Sequence, residues 1–300
     1  MKIGITNKLT GIEYEMHVQK RSWDDIIKQF RDEEKPVDEI IASHHRQKDC
    51  IKTATELFPN AVPVDMIAVA EKNAPVPELD LLVILGGDNF FQICTHHFPN
   101  AYLVGVNSDP VTSEGNILPY TLDRLIQKAE DFEKLNFGFE WWTRIATYIN
   151  GERKEDGTCT VSISTTNKMC TYSLQNGDVR EKQKSSGILV VSGAGSGEGS
   201  WYQDGGLYLP QVKSGLYPTI PQSFAMNAPY LMSLTREPHR GEKHRYKMLN
   251  SQINFLEELK YVHWTRNVTE LSIDSIKEYT IRKGDVVAFK VSDKPLKIVI

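Results

Sequence analysis

Apolar residues fall in two different rhythms along this chain, and the change comes near residue 140. Before it, unbroken apolar runs alternate with segments of helical period, the pattern of βα units around a parallel sheet. A short strand-like run opens the chain at MKIGITNK. Ser22-Trp23-Asp24-Asp25 offers a cap and early acids for a helix to about Arg31, and Glu33-Glu34-Lys35-Pro36 breaks it. Val37–Leu57 predicts a longer helix, with Ile40, Ile41, His44, Ile51 and Leu57 compatible with one face. Val62–Ala70 reads as a strand, and Lys72–Glu78, with Pro75 and Pro77, as a loop. The strongest signal is LLVILGGDNFFQI at Leu81–Ile93, a buried strand running into two glycines and then a helix to about Phe98. Pro99-Asn100 stops that helix, Ala101–Val106 is the next buried strand, and Thr121–Phe132 reads as a helix.

From about Trp141 the helical period disappears. Asn150-Gly151 and Asn176-Gly177 are hairpin signals, each between strand-like runs. Ser186–Ser200 is again an apolar run followed by a Gly/Ser-rich loop, and the chain closes on VVAFKV, a turn and LKIVI. The expectation is an α/β domain with a parallel sheet over residues 1–135 and a β-rich, sandwich-like domain over 136–300. The last ~20 residues are expected to pack back on the first domain.

Composition narrows the function classes. At 300 residues, 40% hydrophobic and 25% charged, the chain can bury a sizeable core. A net charge of -4 gives no electrostatic case for nucleic acid or an anionic membrane. No run approaches the roughly 18 apolar residues needed to span a bilayer. Cys50, Cys94, Cys159 and Cys170 form no CxxC pair and no secretory signal precedes them, so they read as free thiols in a reducing, cytoplasmic compartment. His44, His45, His96 and His97 lack a Cys or acidic partner at metal spacing and read as packing or solvated residues, with no metal ligands expected.

The candidate chemistry sits on the glycine corner. Gly86 and Gly87 bring peptide N–H groups to the end of a strand without a Cβ in the way. The following helix offers an N-terminus that favours phosphate, and Asp88 stands at the lip. The alternative is a tight strand–helix turn with a capping Asp. Asn107-Ser108-Asp109-Pro110 ends the neighbouring strand, and two such ends side by side predict a crevice. For Asn107 and Asp109 the plainer reading is an Asx-turn before Pro110. For Gly193, Gly195, Gly197 and Gly199 it is a flexible hairpin loop. Trp141-Trp142 reads as domain-junction packing rather than a stacking platform.

Three blocks together, LGGDNFF at Leu85–Phe91, VGVNSDPVTSEGNIL at Val104–Leu118 and EKQKSSGILVVSGAGSGEGSW at Glu181–Trp201, resemble the NAD kinase family. The likeness is nearest to its mitochondrial-type branch, with its NTDPxxSEG and EKQKSSG strings. Ser43-His44-His45, Arg236-Glu237-Pro238 and the C-terminal GDVVAFKVSDKPLKIVI add weaker support. The resemblance implies a two-domain, homo-oligomeric (dimeric or tetrameric) kinase with its site in the cleft between domains. It would move the ATP γ-phosphoryl, with Mg²⁺ or another divalent metal, to the adenosine ribose 2′-hydroxyl of NAD. By resemblance Asp88 takes the hydroxyl proton, and Gly86, Gly87, Asn89, Phe90, Asn107, Ser108, Asp109, Ser186, Ser192, Gly193, Gly195 and Ser196 bind nucleotide. The chain departs from the pattern twice. Asn89 replaces the last glycine of GGDG, and the Asn-Glu or Asn-Asp pair that holds the acceptor is missing: ungapped counting lands on Asp156-Gly157-Thr158, and Asn167 comes ten residues too late. A homologue that binds an adenine nucleotide as sensor or scaffold, without catalysis, is therefore the alternative; a lipid kinase sharing the GGDG turn fits the later blocks less well.

Overall fold

The computed structural model describes residues 1–134, 136–165, 168–197, 200–203, 223–239 and 246–300. Asn167 and Gly199, singled out above, lie outside the described residues. The chain divides into two compact units, Met1–Glu140 with Lys297–Ile300, and Trp141–Leu296.

The first unit is α/β. In chain order it contains β1 (Ile3–Asn7), α1 (Gly11–His17), α2 (Trp23–Asp32), α3 (Val37–Leu57), β2 (Val62–Pro63), α4 (Met66–Glu71), β3 (Leu81–Gly86), α5 (Asp88–His97), β4 (Tyr102–Asn107), β5 (Tyr120–Thr121), α6 (Leu122–Glu133) and β6 (Phe139–Trp142). Its sheet runs β2-β1-β3-β4, continues through the C-terminal strand β19 (Leu296–Val299) to β6, and carries β5 beside β4. The β1–β2, β1–β3, β3–β4, β4–β5 and β4–β19 pairs are all parallel. Every residue of β3 is buried, as a strand covered on both faces requires. Leu81, Val83 and Leu85 pack with Cys50 and Ala54 of α3, with Phe58 just after it, and with Leu125 and Phe132 of α6. Leu82 and Ile84 alternate to the other face. There a Cβ at Gly105 would come within 2.9 Å of the Phe91 ring, so the glycine sets how closely α5 approaches the sheet.

The second unit is all-β. Its strands are β7 (Ile145–Ile149), β8 (Glu152–Arg153), β9 (Thr160–Ser164), β10 (Cys170–Asn176), β11 (Val179–Ser185), β12 (Gly187–Val191), β13 (Tyr230–Arg236), β14 (Asn250–Asn254), β15 (Leu259–His263), β16 (Thr269–Ile273), β17 (Lys277–Ile281) and β18 (Val286–Val291). They form two antiparallel sheets, β11-β10-β15-β18-β7-β8 and β14-β13-β12-β9-β16-β17. One core joins inward residues of both, such as Tyr172, Tyr261 and Phe289 from the first and Val161, Ile188 and Leu271 from the second, which makes the unit a sandwich.

Local structure departs from the sequence reading at three places. Val62–Ala70 is not one strand: β2 is two residues long, and the Asp65 carboxylate then accepts from the backbone of Ile67 and Ala68 and starts α4. Helix α1, unpredicted, is fixed by a reciprocal capping box between Thr10 and Glu13. At the second hairpin Asn176 pairs with Val179, so the two-residue turn is Gly177-Asp178 rather than Asn176-Gly177. The first turn is Asn150-Gly151, both at positive φ, 52° and 86°, the geometry that selects Asn-Gly.

Candidate functional site

The order β2-β1-β3-β4 reverses direction at β1: the chain leaves to one side for β2 and returns on the other for β3. The switch point, where open α/β sheets place ligands, therefore lies between the carboxyl ends of β1 and β3. The sequence reading put the crevice between β3 and β4. Asn7 and Lys8 on the β1 side and Gly86-Gly87 on the β3 side flank the switch point, and the Lys8 backbone N–H donates to the Leu85 carbonyl at 2.9 Å. Neither Asn7 nor Lys8 had a signal in the sequence, because their significance depends on strand order.

The two glycines differ. A Cβ on Gly86 would lie 2.9 Å from the Phe90 ring and 3.3 Å from the Lys8 Cβ, so its lack of a side chain lets the first turn of α5 fold down on the strand end. Gly87 caps α5 at φ −116°, and a Cβ there would meet only the Ser113 Oγ, at 3.5 Å. This second position is the one that stays open to a ligand.

Asp88 is the first residue of α5 and half-buried. Its carboxylate accepts two backbone N–H groups from the loop after β4, Asn116 to Oδ2 at 3.1 Å and Ile117 to Oδ1 at 3.2 Å. The donors are peptide groups of that loop, so side-chain types could not have announced them. Asn89 is exposed and Phe90 buried.

Asn107 and Asp109 shape that loop. Asn107 accepts from the Asp109 N–H at 3.1 Å, the Asx-turn, and donates through Nδ2 to the Ser113 carbonyl at 2.8 Å. Gly115 sits at φ +66°, and a Cβ there would fall 2.5 Å from the Asn107 amide nitrogen. The buried Asp109 carboxylate receives Ser43 Oγ at 2.6 Å and Arg46 Nε at 2.7 Å from α3, and Thr112 Oγ1 at 2.5 Å from its own loop. Burial works to raise its pKa, but the hydrogen bonds from Arg46, Ser43 and Thr112 outweigh it and hold the carboxyl below its ordinary range. Ser108 is buried too, its N–H bound to the Gly86 carbonyl at 3.1 Å. Helix α3 therefore grips the loop that grips Asp88, and Arg46 is a residue that sequence reasoning missed. Next to Ser43 in α3, His44 Nδ1 lies 2.7 Å from Thr10 Oγ1, and burial keeps the ring below its usual pKa.

In the second unit the part of the Gly/Ser-rich segment around Gly193–Gly195 is a built turn rather than a flexible loop. Gly193–Gly195 form a 3₁₀ turn. A Cβ on Gly193 would sit 2.1 Å from the Ala225 carbonyl oxygen, and one on Gly195 2.1 Å from that of Cys159. Ser192 Oγ donates to the Thr158 carbonyl at 2.5 Å and Ser196 Oγ to that of Gly193 at 2.8 Å. Ser186 Oγ donates to the Arg236 carbonyl at 3.2 Å. Within the unit, Asp156, where the acceptor pair was counted to fall, is buried and bound by Arg153 at 2.9 Å and Ser292 at 2.7 Å. Thr158, Cys159 and Thr160 instead turn their backbone N–H groups on the buried Asp274 carboxylate, at 2.6, 2.9 and 2.8 Å. Trp142 is buried and Trp141 about half exposed.

The structure is similar to that of yeast NADH kinase solved in complex with NADH, with a TM-score of 0.64 over 85% of this chain and 79% of that one. The fold is NAD kinase-like. Sequence identity over the match is 12%, so the likeness is one of fold. No protein-family model and no curated protein matches the chain in sequence. Among the described residues no group of three or more His, Cys, Asp or Glu could hold a metal ion, and no helix is long and apolar enough to cross a membrane.

Proposed function

We propose that the protein is a phosphotransferase that moves the γ-phosphoryl of ATP to the adenosine ribose 2′-hydroxyl of a nicotinamide dinucleotide. The observation that carries this reading is the carboxylate of Asp88, fixed by two peptide donors at the mouth of a glycine corner on an NAD kinase-like fold. The structural neighbour was solved with NADH, which supports a dinucleotide of that class as acceptor. In the reaction the bond between the γ-phosphorus and the β–γ bridging oxygen breaks and a bond from phosphorus to the ribose oxygen forms. ADP leaves, and the hydroxyl proton passes to Asp88. The open Gly87 position and the N-terminus of α5 would hold phosphate oxygens. Within the second unit the hydroxyls of Ser186, Ser192 and Ser196 already serve the fold, and Gly193 and Gly195 allow close backbone packing.

The residues present suit a Mg²⁺ that arrives on the ATP phosphates rather than a resident ion, because Mg²⁺ needs only one or two carboxylates beside them. Besides Asp88, the loop carries Asp109, whose carboxylate is already bound by Ser43, Arg46 and Thr112, and the exposed Glu114. Such an ion would neutralise phosphate charge.

A second reading, nucleotide binding without transfer, is favoured by Asn89 in the last place of the corner and by Asp156-Gly157-Thr158 where counting places the family's Asn-acid pair. The purified protein incubated with ATP, Mg²⁺ and either NAD or NADH, and assayed for the 2′-phosphorylated product, separates the two. Product that disappears in Asp88→Asn supports transfer. Nucleotide binding with no product in the unaltered protein refutes it.

A further inference from the structure

The outer face of one sheet of the sandwich carries a charge pattern that the chain's net charge of -4 averages away. In the sheet β11-β10-β15-β18-β7-β8, Tyr172, Leu174, Tyr261 and Phe289 turn into the core, so their neighbours in sequence point outward. Strand register lines those outward residues up in rows. One row reads Arg180, Gln175, Lys260, Ala288, Tyr148 and Arg153 across all six strands. The next reads Lys182, Ser173, Val262 and Val286, and a third begins with Lys184 and Thr171. No carboxylate stands in any of the three. Arg180, Lys182 and Lys184 are exposed, and none has an ion-pair partner among the described residues. We propose that this face is a docking surface for single-stranded RNA, an assignment independent of the kinase reading.

Charge complementarity selects the polymer. Along β11 the three cations recur at every second residue, about 6.6 Å apart, a ladder suited to the evenly spaced single charges of a phosphodiester chain. Further in, Glu258 is held by Lys260 at 2.9 Å and by Lys290 at 2.8 Å, two cations on one acid, and Asp293 by Arg153 at 2.7 Å. Those acids are therefore already neutralised. An aromatic ring joins the cations. Trp264 follows β15, is 40% exposed, and donates its indole N–H to Ser173 Oγ at 2.8 Å, which ties the ring to the Lys182 row. A half-exposed ring anchored beside cations is what base stacking on a phosphate-binding surface needs. RNA rather than DNA follows from the exposed Gln175, set between Arg180 and Lys260, whose amide can meet a 2′-hydroxyl.

Other occupants fit less well. An anionic bilayer asks for apolar side chains that enter it, and the rows offer only the half-buried Val262 and Val286. An acidic peptide would add as a strand along β11, but at Lys184 that edge is taken. The Lys184 N–H donates to the Tyr246 hydroxyl at 3.1 Å, and its carbonyl accepts the His239 N–H at 2.8 Å. Lysines on an edge strand also guard against aggregation. That role explains neither Lys260, two strands inside the sheet, nor the ring of Trp264.

The test measures, by fluorescence anisotropy on the full chain, binding of a labelled single-stranded RNA of mixed sequence and about 12 nucleotides. Salt is varied between about 50 and 200 mM, and melting temperatures confirm folding. The combined substitution Arg180→Gln, Lys182→Gln and Lys184→Gln should weaken binding at least about ten-fold at the lower salt. It should also reduce the slope of log K against log salt by about 2, since each single-strand phosphate contact contributes about 0.7. Trp264→Leu should weaken binding at least about five-fold with the slope unchanged, the mark of a lost stack. DNA of the same sequence should bind more weakly, and neither phosphatidylserine vesicles nor polyglutamate should displace the RNA. No RNA binding by the unaltered protein overturns the proposal, as does undiminished binding in the folded triple variant. A loss in the triple variant with none in Trp264→Leu leaves only an unselective anion patch and overturns it too. Equal affinity for the DNA, or displacement by the vesicles or polyglutamate, has the same consequence.

Discussion

Replacing Arg46 by Met tests whether α3 holds the loop that holds Asp88. The substitution keeps a long side chain but removes both guanidinium contacts to Asp109, from Nε at 2.7 Å and Nη2 at 3.2 Å. Hydrogen bonds to a charged group are worth about 1.5–3 kcal/mol, and stripping one partner from a fully buried pair costs about 3–5 kcal/mol. This pair lies between those limits. The Asp109 side chain is 5% exposed but that of Arg46 is 33% exposed, so water can reach the vacated side. Ser43 and Thr112 remain as donors. A loss of about 2 kcal/mol follows, or a fall of roughly 4–8 °C in Tm for a unit of this size. Asp109→Asn removes the same charge pairing from the other end, so the double variant should show a coupling energy of about 1–2 kcal/mol where independent sites add to within about 0.5 kcal/mol. Denaturant unfolding of the four proteins measures it. If the carboxylate of Asp88 is positioned through this route, kcat for dinucleotide phosphorylation falls in Arg46→Met with the KM for ATP little changed, since an error of about 1 Å in a reacting group can cost about a hundred-fold. Strict additivity, or an unaltered kcat, would refute the reasoning.

Further expectations follow from single features. Asp88→Asn should abolish detectable transfer yet leave ATP affinity within about two-fold, read by calorimetry beside a product assay, because the residue meets the acceptor hydroxyl rather than the donor's base. Gly187→Ala should cost at least about 3 kcal/mol in urea unfolding, since φ there is +141° and the new Cβ would fall 1.8 Å from the Ile163 carbonyl oxygen. Gly87→Ala should fold normally, with Tm within about 2 °C of the unaltered protein, and weaken triphosphate binding, because the added methyl makes only an ordinary contact with the Ser113 Oγ, at 3.5 Å, and stands where phosphate would lie. Stability should fall as pH drops below about 6.5, measured by thermal unfolding across pH. His44, Asp109 and Glu13 all have lowered pKa values in the folded chain, so each favours folding above its unfolded pKa. His44 loses its share first, as pH falls from about 6.5, and the carboxylates theirs below about 4.

How much of this was legible in the residues depended on whether the signal was local. Helix α3, the β3–α5 corner, β4 and the Asn150-Gly151 turn announce themselves through period, caps and left-handed positions carried by neighbouring residues. The segment Val62–Ala70 misled because Val, Ile and Ala runs fit a strand, whereas one cap from Asp65 decided for a helix. The capping box at Thr10 and Glu13 is likewise a local signal, spaced three residues apart. What no local pattern holds is strand order. It decides that Asn7 and Lys8 lie across from Gly86, that Arg46 reaches Asp109 across 63 positions of chain, and that the peptide groups of Asn116 and Ile117 end up on Asp88. Shape is equally hidden: nothing in the Gly/Ser-rich stretch distinguishes a floppy loop from a turn whose glycines are demanded by carbonyl oxygens 2.1 Å from the missing methyls.

Strand β19 has a consequence for biogenesis. It lies beside β4, yet it is made only after all the strands of the second unit, β7 to β18. At ordinary translation speeds of about 5–20 residues per second, the nascent first unit waits roughly ten to thirty seconds with the Tyr102–Leu103 end of one flank of β4 bare. A bare flank of this kind can recruit a stray strand from another molecule. The ribosome-bound chain is thus most at risk of clumping in that interval, and a stop codon just upstream of Leu296 would make the wait permanent.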